Sequence, residues 1–242
     1  MRKLILALGG SLIIAAPVAS ADVLGVGANI SYWDSDLSGD AGKNNDVVDV
    51  ENDLDLDSDT NANLSAYFEH PVPLLPNVRL NYTRIEQSGR GEISTQFDQV
   101  SGEVDSDFDL DQFDVTLYYE VLDNWVNLDL GLTARNLDGE LIVRETRTGG
   151  QVSQTDVSGV VPMGYLAARF DLPLTGVSVG GEANLISFDG DSVYDYNAYG
   201  QYQLSLLQLR AGYRQISIDY EDSDDRLDIE LGGPFVSAGL TF

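Results

Sequence analysis

Apolar and polar residues alternate with a period of two from Leu24 to the last residue, and a chain patterned this way must fold as β-sheet. In the first segment Leu24, Val26, Ala28, Ile30 and Tyr32 share one face, opposite Gly25, Gly27, Asn29 and Ser31. Ala62, Leu64, Ala66 and Phe68 repeat the pattern, as do Val78, Leu80 and Tyr82, then Phe113, Val115, Leu117 and Tyr119. The clearest stripe is Val126, Leu128, Leu130, Leu132 and Ala134, set against Asn127, Asp129, Gly131, Thr133 and Arg135. Further segments centre on 160–170, 177–188, 193–204, 207–220 and 227–242, which makes ten candidate strands.

Two kinds of connection alternate between them. His70 to Asn77, Leu122 to Trp125, Asp171 to Gly176 and Ser205-Leu206 are compact. The others include long polar excursions at 34–60, 87–111 and 136–157 and short ones at Asp189–Ser192 and Asp222–Arg226. Short turns on one side and longer loops on the other characterise outer-membrane barrels.

Met1 to Ala21 has the parts of a secretory signal peptide: Arg2-Lys3, an apolar stretch from Leu4 to Val18, and Ala19-Ser20-Ala21 as the cleavage site. Residues 1–21 are therefore expected to be a cleaved leader and 22–242 a single barrel domain. Nothing after residue 21 approaches the ~18 apolar residues of a spanning helix, so a membrane location requires closed strands. The formal net charge of −27, from 13 Lys+Arg against 40 Asp+Glu, excludes nucleic acid as a partner, because phosphate contacts need a basic footprint. A hydrophobic content of 43% argues against a disordered acidic chain. With no Cys and one His, thiol chemistry is excluded and most imidazole chemistry with it.

A soluble β-sandwich or lipocalin-like barrel would show the same alternation. Loop asymmetry, aromatic placement and the chain end favour a membrane. Tyr32, Tyr82, Phe113 and Tyr194 fall near the long-loop ends of their stripes, while Phe68, Tyr119, Phe170, Tyr202 and Phe242 fall near the short-turn ends, as interfacial girdles require. Val236, Ala238, Leu240 and the terminal Phe242 share a face and resemble the assembly signal of outer-membrane proteins. The predicted fold is an all-β, antiparallel, up-and-down transmembrane β-barrel of about ten strands, with short periplasmic turns and longer acidic outer loops.

His70 to Leu80 (preceded by Glu69), Phe170 to Gly176, Ala211-Gly212-Tyr213-Arg214 and Gly233-Pro234-Phe235 resemble a family of Gram-negative outer-membrane β-barrel proteins named for a Gly-Gly signature. The resemblance covers most of the chain after residue 21. It implies a topology and a location and brings no activity and no catalytic residues.

Nine charged residues interrupt the strands opposite the apolar stripe: Glu69, Arg79, Asp114, Glu120, Asp129, Arg135, Arg169, Glu182 and Arg210. Away from bulk water such charges pair, since an unpaired buried ion costs several kcal/mol. Side chains just fill an eight-stranded barrel, and ten strands are little wider. An interior mostly occluded by an Arg–carboxylate network follows, with a narrow pore as the variant.

The apolar stripe changes parity at Gly232-Gly233, from Leu227, Ile229 and Leu231 to Val236, Ala238, Leu240 and Phe242, which predicts a β-bulge at the glycines. A similar flip separates Asp105, Asp107, Asp109 and Asp111 from Gln112 and Asp114, where bulge and loop both remain open. Asp49, Glu51, Asp53, Asp55, Asp57 and Asp59 alternate with Val50, Leu54 and Leu56 and would place an acidic stripe at the mouth. Asp53, Asp55, Asp57 and Asp59 are candidates for Ca²⁺ or Mg²⁺. An EF-hand match fails, because position six is Ser58 and position twelve is Leu64. The simpler reading is a solvated acidic surface, with no cofactor.

Two classes of function remain. One is a non-enzymatic envelope structural or surface-interaction protein, or a narrow cation-favouring channel, since an acidic mouth repels anions. The other is an outer-membrane hydrolase. Glu69-His70 is the only acid–imidazole neighbour pair, it lies on a predicted periplasmic turn, and no Gly-x-Ser-x-Gly elbow accompanies it. Two carboxylates suffice for a glycosidase, but no pair stands out, so no catalytic residue is assigned. The expected partners are outer-membrane lipid and lipopolysaccharide, the barrel assembly machinery and periplasmic chaperones.

Overall fold

The computed structural model describes residues 24–242 except 45, 57–58, 73 and 223–224. The expected leader and Asp57 thus lie outside the described residues. Eleven strands follow one another: β1 (Gly25–Lys43), β2 (Asp46–Asp49), β3 (Asp59–Glu69), β4 (Asn77–Phe97), β5 (Val100–Asp123), β6 (Val126–Glu145), β7 (Val152–Asp171), β8 (Val177–Phe188), β9 (Asp191–Leu204), β10 (Leu207–Asp222) and β11 (Asp225–Thr241). From β3 to β11 neighbours pair antiparallel in chain order, β1 pairs with β3, and β11 returns to β1 through pairs running from Gly27–Thr241 to Lys43–Asp225. Ten strands therefore close a barrel. The short β2 is extra and continues the edge of β1 beyond the end of β3.

The short turns behave as expected. The long excursions do not: 87–111 and 136–157 are mostly strand, because β4 to β7 run on as hairpin arms. At 24 residues β5 extends roughly 80 Å, at ~3.3 Å per residue. A transmembrane strand needs only ~9–11 residues, so half of the barrel wall stands outside any bilayer.

Inward and outward positions alternate through the whole length of the strands, but the chemistry of the two faces exchanges partway up. On β1 the outward residues Val26, Ala28, Ile30 and Tyr32 give way to Asp34 and Asp36, while the inward Asn29 and Ser31 give way to Trp33 and Leu37. On β5 the outward Tyr119, Leu117, Val115 and Phe113 are followed toward the tip by Asp111, Asp109, Asp107 and Asp105. The inward Thr116, Asp114 and Gln112 are followed by Leu110, Phe108 and Val104. In the short-turn half the wall is greasy outside and polar inside. In the long-hairpin half it is polar outside and greasy inside, as in a soluble barrel.

This exchange corrects the bulge expected at Gly232 and Gly233. The register of β11 with β10 and with β1 runs through both glycines without a shift. Leu231, Gly233, Phe235 and Ser237 all keep the inward parity. No residue is inserted; the surroundings change from water to lipid, so the apolar residues switch faces. The flip at Asp111/Gln112 has the same cause, since the β4–β5 and β5–β6 registers hold through it.

In the long-hairpin half the wall divides. The β3–β4 ladder stops at Ala62–Arg84 and the β7–β8 ladder at Gly164–Leu185. Beyond them two sheets face each other across a core that includes Trp33, Leu37, Ile216, Ile218, Ile229 and Leu231 from one side. Ile85, Phe97, Val100, Val104, Leu110, Leu141 and Met163 come from the other. Residues 50–56 fold over the first seam and bury Val50, Leu54 and Leu56 in that core. Glycine is required beneath them, because a Cβ at Gly89 or Gly91 would collide with the Asp53–Asp55 backbone.

Candidate functional site

Beneath the apolar core, the barrel interior carries charge in three tiers. In the first, Arg135 is wholly buried, with Nε and Nη2 donating to the two oxygens of Asp114 at 2.8 and 2.7 Å, and Nη2 also donating to Asp195 at 2.6 Å. Arg214 completes the tier with two bonds to Asp195, at 3.0 and 2.8 Å, and one to the Thr83 hydroxyl at 3.2 Å. Its guanidinium lies 5.0 Å from the Trp33 ring, where the ion tier meets the apolar core.

In the second tier Arg79 and Arg210 share Glu182, at 2.8 and 3.2 Å. Arg79 also donates to the Tyr165 hydroxyl at 3.0 Å, and Arg210 donates to Gln201 at 2.8 Å while stacking over Tyr199 at 4.4 Å. A polar cavity of about 80 Å³ lies between these tiers, lined by asparagines such as Asn29, Asn63 and Asn197. The third tier surrounds a wider vestibule of about 640 Å³ at the short-turn end. Here Glu69 accepts from Tyr118 at 2.8 Å, Glu120 accepts from Asn77 at 3.1 Å, and Arg169 pairs with Asp171 at 2.9 Å. Asp129 lines the same space.

The nine lumen residues expected from parity all fall inside, but they do not form one network. Five of them (Asp114, Arg135, Arg79, Glu182 and Arg210) are ion-paired in the two upper tiers. Glu69 and Glu120 are hydrogen-bonded to neutral groups instead. The expectation that ion pairs do most of the filling is corrected, because the upper half of the lumen is filled by apolar side chains. Asp195 and Arg214 were missed, although their parity follows from Asn197 and Arg210 on the same strands. Trp33, Tyr165 and Tyr199 were missed because an inward aromatic is not marked by alternation alone.

In the acidic run, Asp49 and Asp53 bond to their own turn. Asp49 caps its own turn, accepting from the amides of Glu51 and Asn52 at 3.0 and 2.9 Å, and the Asp49 amide donates to Asp53 at 3.1 Å. These bonds to the turn hold the Asp49 carboxyl below the usual carboxylate range. Among the described residues no three acidic or imidazole side chains, Asp53, Asp55 and Asp59 included, converge as metal ligands. His70 is engaged by its own turn, through Pro76 O at 3.2 Å and the Val72 amide at 3.3 Å. Val236, Leu240 and Phe242 point outward and are exposed, and Ala238 shares their face. Phe242 is tied to Val26 by backbone bonds of 2.8 and 3.2 Å.

An apolar outer belt with rings at both rims (Tyr32, Tyr82, Phe113 and Tyr213 above, Phe68, Tyr119, Trp125 and Phe170 below) and charge confined to the interior define a membrane-spanning β-barrel. No protein-family model and no curated protein sequence matches the chain. Solved structures similar to it include Ail, the attachment invasion locus protein of Yersinia pestis, in complex with the heparin analogue sucrose octasulfate. It is 13% identical, with 90% of this chain and 99% of that chain covered and a TM-score of 0.37. Neisserial surface protein A is 14% identical over 90% and 97%, with a TM-score of 0.35. The translocator domain of the autotransporter NalP from Neisseria meningitidis is 14% identical over 93% and 90%, with a TM-score of 0.45. The architecture rests on the strand pairing above.

Proposed function

We propose that this chain is an integral outer-membrane protein of a Gram-negative envelope, without enzymatic activity, whose lumen is closed toward the outside. Its work is done by the water-facing half of the barrel, as an envelope structural or surface-interaction element. One observation carries this reading: the apolar core, including Leu54, Leu56, Phe97 and Ile229, fills the barrel between the ion tiers and the long-hairpin tips. A packed core leaves no path for a hydrated solute. The wet space of the vestibule opens at the short-turn end, which faces the periplasm in this reading.

The resemblance to the Gly-Gly-signature family, export by the leader, insertion by the assembly machinery with periplasmic chaperones, and contact with lipopolysaccharide belong to the same proposal. A narrow cation-favouring channel is the second reading, favoured by the acidic vestibule, and it would require the core around Leu54 to open.

Lys43 is the sole lysine after residue 3 and lies at a long-hairpin tip. A membrane-impermeant amine reagent applied to intact cells should label it, and the purified protein should give no steady conductance in planar bilayers. Lack of labelling refutes the outward placement. A large stable conductance refutes the closed lumen and favours the channel.

A further inference from the structure

One seam of the upper wall is covered by residues 50–56. The other is bare. β7 pairs with β6 along its length but with β8 only from Gly164 to Asp171, so Val152–Met163 presents a second edge to solvent over roughly 40 Å. The hydrogen-bond phase fixes which groups lie on that edge. The Glu145 amide donates to Gln151 O, so the odd-numbered residues of β7 bond to β6 and the even-numbered ones aim their N–H and C=O away from it. Two side chains mark the same edge, with Lys43 Nζ on Gln154 O at 2.7 Å and Gln99 Nε2 on Val152 O at 3.4 Å.

Asp156, Ser158 and Val160 therefore face the seam with both backbone groups, and no strand of the described chain pairs with them there. Pro162 faces it without a donor, which is why the ladder to β8 ends at Gly164. Gly159 points inward yet is exposed, with open space where a Cβ would stand, and Val160 is 68% exposed. The seam is thus shaped for another strand and its alternate side chains.

We propose that the β7 edge from Asp156 to Val160 docks an extended, basic segment of a partner protein, which adds a strand to the sheet. The choice of occupant follows from charge. Asp156 lies on the edge, with Glu140 opposite it and Asp138 opposite Ser158 on β6, so the incoming strand meets three carboxylates. The nearby Lys43 is already engaged with Gln154. A second copy would set Asp156 and its acidic neighbours against themselves. This inference deepens the surface-interaction reading and rests on it for the outward placement of the edge.

The test uses the purified full barrel in detergent micelles and a seven-residue peptide of alternating Lys and Val as the probe. Saturable binding is expected, weakening with salt. It should fall at least tenfold when alternate amides of the peptide are N-methylated, and equally with Ser158→Pro, which removes one edge donor and leaves the β6 ladder intact. Amide exchange at Asp156, Ser158 and Val160 should be fast in the free barrel and slow with the peptide. Absence of binding, equal binding of the N-methylated peptide, or slow exchange at those amides in the free barrel overturns the proposal. Failure here with Lys43 labelled on cells retires the edge alone. Binding with Lys43 unlabelled retires the outward placement.

Discussion

Replacing Arg135 with Met isolates the energetics of the upper ion tier. The guanidinium is wholly buried and is the ion-pair partner of Asp114 among the described residues, whereas Asp195 keeps Arg214 at 2.8 Å. Arg135→Met therefore strands one buried carboxylate, Asp114, and leaves the other paired. Removing one partner of a buried pair costs about 3–5 kcal/mol, most of it from the charge left behind. The folded-to-unfolded ratio should fall by about two to four orders of magnitude, at ~1.4 kcal/mol per tenfold. The double variant Arg135→Met with Asp114→Leu removes both charges together and should recover most of that loss, since apolar replacement of a whole buried pair is often close to neutral. Equilibrium urea unfolding from lipid vesicles at neutral pH measures all three proteins. A single variant within about 1 kcal/mol of the parent, or a double variant no more stable than the single, would refute the claim that this tier sits away from water.

Further outcomes follow from the exchange of faces and the closed upper core. Leu117→Arg, on the outward face in the middle of the apolar belt, should cost about 2–4 kcal/mol in vesicle unfolding. Asp109→Arg, on the same face of the same strand beyond the belt, should change stability by less than ~0.5 kcal/mol. Leu54→Ala should cost about 2–5 kcal/mol, as a fully buried leucine does elsewhere, and a cost near zero would mean that residues 50–56 do not stay folded into the core. Glu145 holds the β6–β7 tip through Arg147 and the amides of Gln151 and Ser101, and these bonds keep its pKa below the usual glutamate range. A carboxylate depressed in the folded state stabilises above its unfolded pKa, and the contribution fades as pH falls through the lower folded value. Amide protection at Gln151 and Ser101 should therefore drop on acidification in the parent and be low at every pH in Glu145→Gln. Protection unchanged by that substitution would remove Glu145 from the tip.

Strand number, antiparallel order and the short turns were legible because each rests on local signals: period-two alternation, prolines at 71, 73 and 76, and compact links such as Ser205-Leu206. The hairpin arms were not. Asp105, Asp107, Asp109 and Asp111 look like loop composition, and only their pairing with β4 and β6 shows them to be the wet face of strands whose dry face is Val104, Phe108 and Leu110. Within the lumen, Asp114 and Arg135 could be placed inside by parity, but which carboxylate meets which guanidinium depends on contacts across the barrel. Arg79 reaches Glu182 at 2.8 Å over a separation of 103 residues. No spacing rule encodes that distance.

A bulge explains a parity change on one strand; it cannot explain the same change on several strands joined side by side. Tyr32 stands opposite Val236, Tyr82 opposite Phe113, and Tyr213 opposite Pro234, and just beyond each the outward face turns polar: Asp34, Arg84, Asp111 and Gln215. Separate insertions would have to recur at matched heights and would shift the registers, which continue without a shift past these positions. A single boundary between two solvents needs no insertion: below it hydrocarbon takes the apolar side chains outward, and above it water drives them inward. A parity change on strands whose register does not shift is therefore a depth mark. Reading the marks strand by strand traces one surface of the bilayer around the barrel, and the upper rim aromatics Tyr32, Tyr82, Phe113 and Tyr213 lie along that line, where amphipathic rings are expected.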